Sequence, residues 1–450
     1  MSLTKNYADL EKLEDVVPAS TIQNPRCEYK LYRRRWLILG LFVIYSMSNA
    51  MQWIQYSIIS NIITKYYNVS NFMVDWTSMI YMVTYIPLVF PASWLLDKLG
   101  IRVTVLLGAT GTCIGSWIKV FSVASDRFLI AFVGQTVAAV SQVFILSLPA
   151  RVAAVWFGQN EVSSACSIGV FGNQLGVAAG FVLPPLLVKY NENVEITENG
   201  LRLMYYSVAV ITTATLFLII LMFEDKPDLP PSPAQAALKC SSNSGSFLSS
   251  IQRLLTNKGY ILLLLSYGIN VGVFYAISTL LNQVILHYFP NSEEDAGVIG
   301  LVMVIVGMLG SVFCGYILDK TRLFKETTLI VYGFSVLGLL AFTFTLSCGE
   351  IFIVYITSAL LGFFMTGYLP VGFELASEIT YPESEGTSSG LINAGAQIFG
   401  IVFTILHGWL ISVINEFWAN MCLIGMLLGG TLLTAFIPSD LRRQSACQAT

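Results

Sequence analysis

Long apolar runs, each about as long as a bilayer is thick, alternate with short polar stretches along most of this chain. An uncharged apolar run of about 20 residues crosses the hydrocarbon core as a helix. Twelve such runs can be drawn: 36–64, 73–96, 101–124, 128–155, 162–188, 201–223, 259–286, 296–318, 327–347, 350–377, 387–414 and 417–437. We number them spans 1 to 12. Backbone groups in lipid need partners within their own segment, so each run is predicted to be a helix. The longest break, 224–258, is rich in Pro and Ser and is predicted to be a flexible linker. The expected organisation is a tail at 1–35, a six-helix bundle at 36–223, the linker, a second six-helix bundle at 259–437 and a tail at 438–450.

The two halves echo each other. Trp94-Leu-Leu-Asp97-Lys98 ends span 2, and Tyr316-Ile-Leu-Asp319-Lys320 ends span 8, 222 residues later. Leu148-Pro149 is matched by Leu369-Pro370 at an offset of 221, and Gln174 by Gln397 at 223. Echoes at a nearly constant offset point to duplication. Parallel six-plus-six repeats define the major facilitator architecture, an all-α membrane fold with its substrate site between the halves.

Composition narrows the class further. Of 450 residues, 55% are hydrophobic and 11% are charged, against about 25% charged in soluble domains. This excludes a soluble enzyme and a disordered chain. A formal net charge of −3 offers no basic surface for nucleic acid. The eight cysteines form no C-x-x-C pair, so neither a disulfide framework nor a metal site is indicated. There is no G-x-x-x-x-G-K, no H-E-x-x-H and no hydrolytic triad, so no cofactor, metal ligand or catalytic residue is assigned.

Charge placement sets an orientation. Nineteen Lys and Arg fall on the side of the two tails, against five on the other (Lys65, Lys119, Arg127, Lys189 and Arg202). The positive-inside rule then puts both termini in the cytoplasm. Span 1 follows a polar tail ending in Arg33-Arg34-Arg35, with no small-residue cleavage site after it, so it is read as a span and not a signal peptide. The sequon Asn68-Val-Ser70 falls in the first outer loop, a candidate for glycosylation. The stretch Asp97-Lys98-Leu-Gly100-Ile-Arg102 is similar to the superfamily's loop between spans 2 and 3. Asp97, Arg102 and, in the second half, Asp319 are candidate gating residues, since a carboxylate there can face a helix N-terminus and an arginine. Ser93 departs from that pattern, and the second copy keeps Gly315 but lacks the later glycine.

No Asp, Glu, Lys or Arg lies near the middle of a span. Coupled carriers usually place carboxylates there, so downhill transport is expected. The deep polar groups are neutral or aromatic. Asn49, Trp53 and Tyr56 are spaced to share one face of span 1. Gln135 and Gln142 lie in span 4, Asn270, Phe274, Tyr275, Ser278 and Asn282 in span 7, and Asn393 and Gln397 in span 11. At about 1.5 Å per residue, Trp53, Gln142, Tyr275 and Gln397 fall near mid-depth. Aromatic faces without a full negative charge suit a quaternary ammonium, at about 0.5–2 kcal/mol per contact. Packing accounts for buried Trp, Tyr, Gln and Asn equally well, so the pattern alone leaves both readings open. The pairs Gly111/Gly115, Gly176/Gly180 and Gly268/Gly272 read as close-packing sites.

Several long strings resemble the feline leukaemia virus subgroup C receptor family. They are Tyr32-Arg-Arg-Arg-Trp36, Asn49-Ala-Met-Gln-Trp-Ile-Gln-Tyr-Ser-Ile-Ile-Ser-Asn61, Gln142-Val-Phe-Ile-Leu-Ser-Leu-Pro-Ala-Arg151, Val155-Trp-Phe-Gly158, Gly172-Asn-Gln-Leu-Gly176 and the run Tyr267–Gln283. The likeness covers about residues 30 to 437. It implies a carrier at the plasma membrane or an internal membrane, linked to choline and ethanolamine uptake and to haem export. It also implies choline-site roles for Asn49, Trp53, Gln142, Tyr275 and Gln397, and the depth reading adds Tyr56, Phe274, Asn270 and Asn393 as cavity-lining candidates. The leading expectation is a monomeric, plasma-membrane, facilitative choline and ethanolamine carrier working by alternating access. The alternatives are haem export, for which mid-membrane ligands are scarce, and a ligand-binding receptor without net transport.

Overall fold

The computed structural model describes residues 30–146, 148–158, 161–191, 194–231, 247–321, 323–381, 383 and 385–438. Every regular element among them is helical. Eleven helices are long and apolar enough to cross a bilayer unbroken. They follow the predicted runs closely: Asn71–Leu96 and Lys98–Val120 for spans 2 and 3, and Val162–Leu187 and Val194–Met222 for spans 5 and 6. In the second half, spans 7 to 9 are Lys258–Tyr288, Glu293–Thr321 and Phe324–Leu346. Spans 10 to 12 are Ile351–Thr380, Glu385–Val413 and Glu416–Ala435. Span 4 runs as Phe128–Leu146 and Leu148–Trp156.

Span 1 is the exception. It was expected as one helix over 36–64, but a first helix stops at Ala50 and a second begins at Ser60, with only a short 3₁₀ turn at Ser57–Ile59 between them. Residues 51–56 have no regular helical ladder. The spacing of Asn49, Trp53 and Tyr56 therefore does not place them on one helix face. The linker differs too. Within it, Phe247–Thr256 is helical, and Arg253 and Ser250 both bond Glu383 of the loop between spans 10 and 11. Those bonds hold the Glu383 carboxyl below the usual carboxylate range.

Local chemistry explains the helix ends. Asn257 caps span 7 by accepting from the amides of Gly259 and Tyr260, and Asn415 caps span 12 by accepting from Trp418. Each satisfies amides that a helix start leaves without partners. Between spans 2 and 3 the chain reverses at Gly100, whose φ of 83° and ψ of −179° is a backbone that a side chain would strain. Asp225, just past span 6, packs against this glycine and accepts from the Arg102 amide at 3.0 Å. Arg102 thus meets Asp225. The side chains of the other gating candidates, Asp97 and Asp319, lie outside the described residues.

The halves meet along two symmetric seams, span 2 against span 11 and span 5 against span 8. Close approach needs small residues. Gly297 and Gly300 of span 8 lie against Phe181 of span 5. The predicted small-residue pairs behave likewise. Gly115 rests on the Gly134 carbonyl, Gly268 and Gly272 rest on Phe399, and Gly176 and Gly180 rest on the carbonyls of Met47 and Met51. Span 5 therefore packs directly on the interruption in span 1. A side chain at 180 would collide with the Met51 carbonyl, so Gly180→Val should cost about 1–3 kcal/mol of stability. Gly40→Ala, inside the first helix with nothing within 4 Å of the added carbon, should be neutral to stabilising by up to about 1 kcal/mol. Thermal unfolding of the purified variants checks the contrast.

Candidate substrate site between the halves

The interruption in span 1 is built by side chains that compete for its backbone. Asn49 donates its amide to Thr112 Oγ1 at 2.9 Å and to the Ala138 carbonyl at 3.0 Å, tying span 1 to spans 3 and 4. Gln52 donates to the Ser48 carbonyl at 2.9 Å, and Gln135 donates to the Gln52 carbonyl at 2.7 Å. Carbonyls engaged by side chains no longer need helical partners. Non-helical backbone is tolerated at membrane depth when protein surrounds it in this way.

The interruption presents Trp53 toward the other half. Its ring lies 5.5 Å from the Tyr275 ring of span 7, nearly perpendicular to it. The Tyr275 hydroxyl receives a hydrogen bond from Gln397 Nε2 of span 11 at 3.5 Å. Gly400, one turn on, lets Tyr275 and Met82 of span 2 approach the same point. Asn393 and Tyr85 of span 2 lie within side-chain hydrogen-bonding reach of each other beside them. Trp53 and Gln397 are 7% and 6% exposed, whereas Tyr275 is half-buried. Aromatic and amide groups from both halves thus converge, and none of the residues meeting there is acidic.

The remaining candidates differ in burial and partners. Asn49 is fully buried and spent on Thr112 and Ala138, although its Oδ1 has no partner. Gln142 is half-buried in the first part of span 4. Tyr56 turns into the first bundle, 6.2 Å from the Tyr205 ring of span 6, because the interruption rotates it away from Trp53. Phe274 is half-buried against the hydrophobic core that the two halves share. Asn270 is fully buried, and neither of its amide atoms has a partner. Asn68 is exposed, with a left-handed φ of 51° at a helix end.

Lys119 and Asp75 are among the charged groups that the sequence leaves at span ends and the fold buries, as it does Glu378 and Glu416. Lys119, counted above among the outer charges, is 1% exposed. Asp75 of span 2 is 5% exposed and accepts from Gln283 of span 7 at 2.9 Å. Both lie at span ends, where position in the run predicts solvent. His407 is also buried, bonded to Asn420 within the second bundle at 2.9 Å. Among the described residues, no three His, Cys, Asp or Glu side chains converge into a metal-binding group.

Asp75 belongs to a set of polar contacts that join the halves at one end. Asn282 of span 7 accepts from Ser60 at 2.9 Å and donates to the Ile58 carbonyl at 2.8 Å. Asn61 donates to Glu293 at 2.8 Å, Ser78 and Thr279 share a bond of 3.0 Å, and Lys189 pairs with Glu294 at 3.1 Å. This end lies opposite the tails, for Lys30 bonds Pro230 of the linker at the other.

A family model described as Major Facilitator Superfamily matches residues 41–404. The chain is 52% identical over 446 residues to the choline/ethanolamine transporter flvcr2a of Danio rerio, covering 99% of this chain and 94% of that one. It is 51% identical to the choline/ethanolamine transporter FLVCR1 of Felis catus, covering 94% of this chain and 76% of the relative. The chain belongs to the feline leukaemia virus subgroup C receptor family of the major facilitator superfamily. The human FLVCR2 choline/ethanolamine transporter is 49% identical, with coverage of 94% and 80%. Solved structures agree on the fold. An occupied, inward-facing bacterial homologue of the human lysosomal transporter Spinster superposes with a TM-score of 0.70 at 12% identity, covering 92% of this chain and 99% of that one. The D-xylose-proton symporter gives 0.67 at 13%, covering 90% and 98%. This family member is thus a membrane transporter and not an enzyme.

The contacts opposite the tails tie the two halves together at that end. Asn282→Ala removes all three of its side-chain bonds, to Ser60, the Asn61 amide and the Ile58 carbonyl, and should shift the closed and open populations about tenfold. A cysteine placed at Val74 in that background should react correspondingly faster with a membrane-impermeant maleimide. Unchanged labelling would show that Asn282 does not hold this end shut.

Proposed function

We propose that this chain is a facilitative carrier of choline and ethanolamine, working by alternating access around Trp53, Tyr275 and Gln397. The observation that carries the reading is the Trp53–Tyr275 pair, contributed by opposite halves. A quaternary ammonium sheds water poorly to hydrogen-bonding groups but is drawn to ring faces. Two rings from two halves embrace such a head only while the halves are close, so relative motion of the halves loosens the grip. Gln397 and Gln142 supply amide groups for the hydroxyl or primary amine at the ligand's other end. Asn49 positions the turn that carries Trp53, and Asn393 lines the same side. The absence of a carboxylate in the cluster favours downhill movement, since no group there is set to exchange a proton with each substrate. Relatives at about half identity carry the name choline/ethanolamine transporter, which supports the same substrate class. Haem export has no comparable support, because the cluster holds no histidine for the iron and His407 is held by Asn420 in the second bundle.

The contacts opposite the tails close that end, which supports reading the tail side as the one toward which the site opens from this state. With both termini cytoplasmic, as the distribution of Lys and Arg supports, that side is the cell interior. We take the carrier to be a monomer of the plasma membrane, with 36–223 and 259–437 as its two moving bodies. Gating would fall to Asp97, Arg102 and Asp319 on the cytoplasmic side, and a glycan on Asn68 would then lie outside.

Trp53→Ala should lower choline uptake about tenfold or more while the protein still reaches the surface. Tyr275→Phe keeps the ring and loses only the Gln397 bond, so uptake should fall about twofold. Radiolabelled choline flux into proteoliposomes measures both and separates transport from ligand sensing. Normal flux in Trp53→Ala would overturn the site. Asn68→Gln should remove a glycosidase-sensitive shift on gels of surface protein, and no shift in the parent would dismiss the glycan.

A further inference from the structure

Lys119 takes no direct part in the cycle just described, yet it is buried deep in the first bundle. Its ammonium lies 2.8 Å from Gln52 Oε1 and 2.6 Å from Gln135 Oε1. The Tyr56 ring centroid is 5.9 Å away. Its stem lies against Gly134, where any side chain would meet the Lys119 Cγ. The two amide oxygens have few other donors. Ser116 reaches Gln52 Oε1 at 3.3 Å, and Gln55 reaches Gln135 Oε1 at 3.4 Å, both long contacts. Without the ammonium, two buried acceptors would be left almost unsatisfied, a costly arrangement.

The position of the two acceptors matters. Gln52 immediately precedes Trp53 in the unwound segment. Gln135 also donates to the Gln52 backbone carbonyl and, at 3.1 Å, to the Thr77 carbonyl of span 2. Lys119 therefore fixes the Gln52 side chain directly and the Gln52 backbone through Gln135. Ionisable groups in a membrane interior are expensive and are kept where they act. We propose that Lys119 is a positioning residue. By tying Gln52 to Gln135, its ammonium holds the unwound segment 51–56 in the turn that aims Trp53 at Tyr275. The inference rests on Trp53 as a substrate contact, but the tie itself can be tested without substrate.

The experiment uses the full chain in lipid nanodiscs and proteoliposomes. Lys119→Met keeps the stem and removes the donors. Amide hydrogen exchange over 51–57 should quicken about tenfold, with span 7 unchanged, and the half-saturating choline concentration should rise about tenfold at a nearly unchanged maximal rate. Gln52→Met should act in the same direction, and the two changes should combine to less than the sum of their effects, because they share the Lys119–Gln52 tie although Gln52→Met also loses the bond to the Ser48 carbonyl. If Lys119→Met does not fold, Gln52→Met, in which Lys119 keeps Gln135, carries both readouts. Unchanged exchange at 51–57, exchange quickened evenly over the bundle, or additive effects would each overturn the proposal. Trp53→Ala run in parallel separates the failures. Choline transport surviving that change sinks the site, whereas its loss beside unaffected Lys119 and Gln52 variants sinks the tie alone.

Discussion

Backbone amides and carbonyls inside a bilayer have no water to turn to, and every feature of this protein answers that constraint. Eleven spans satisfy it with unbroken helices. Span 1 breaks the rule within the membrane and survives because Gln52 and Gln135 bond the Ser48 and Gln52 carbonyls, while Asn49 and Lys119 tie the segment to spans 3 and 4. The unwound turn then carries an indole away from its own bundle and toward the other half. Had span 1 stayed helical, Tyr56 and Trp53 would have faced one way, and the inter-bundle ring pair would not form.

The second constraint is that the halves must touch and also part. Their seams are made of small residues and smooth apolar surface, which bring little directional bonding. Direction comes from the polar contacts opposite the tails, where Asn282, Asp75 and Glu293 reach across. These bonds are individually modest, which suits a contact that must break in each cycle. Choline binding at the ring pair would need to be modest for the same reason, since a carrier that grips too firmly does not release.

Much of this was legible in the residues. The apolar runs gave the spans to within a few positions, because a bilayer fixes helix length, and the internal echoes gave the duplicated plan. Depth picked out Trp53, Gln142, Tyr275 and Gln397, and of these Trp53 and Gln397 both touch Tyr275. Asn49 was read as facing the ligand, but it proves committed to Thr112 and Ala138, a contact between positions 63 and 89 residues apart. Lys119 and Asp75 escaped because a charge near the end of an apolar run normally meets headgroups or water. Here neighbouring spans extend past them and cover them.

Hydrophobic periodicity and length thus determined by themselves the number of spans, the two-bundle plan and the kinds of side chain at mid-depth, since each depends only on what a segment must hide from or show to lipid. The tertiary structure decided where span 1 unwinds, which rings meet across the halves and which charges vanish inside. Those outcomes depend on hydrogen bonds and contacts between segments far apart in the chain, and no local pattern encodes a partner that lies in another helix.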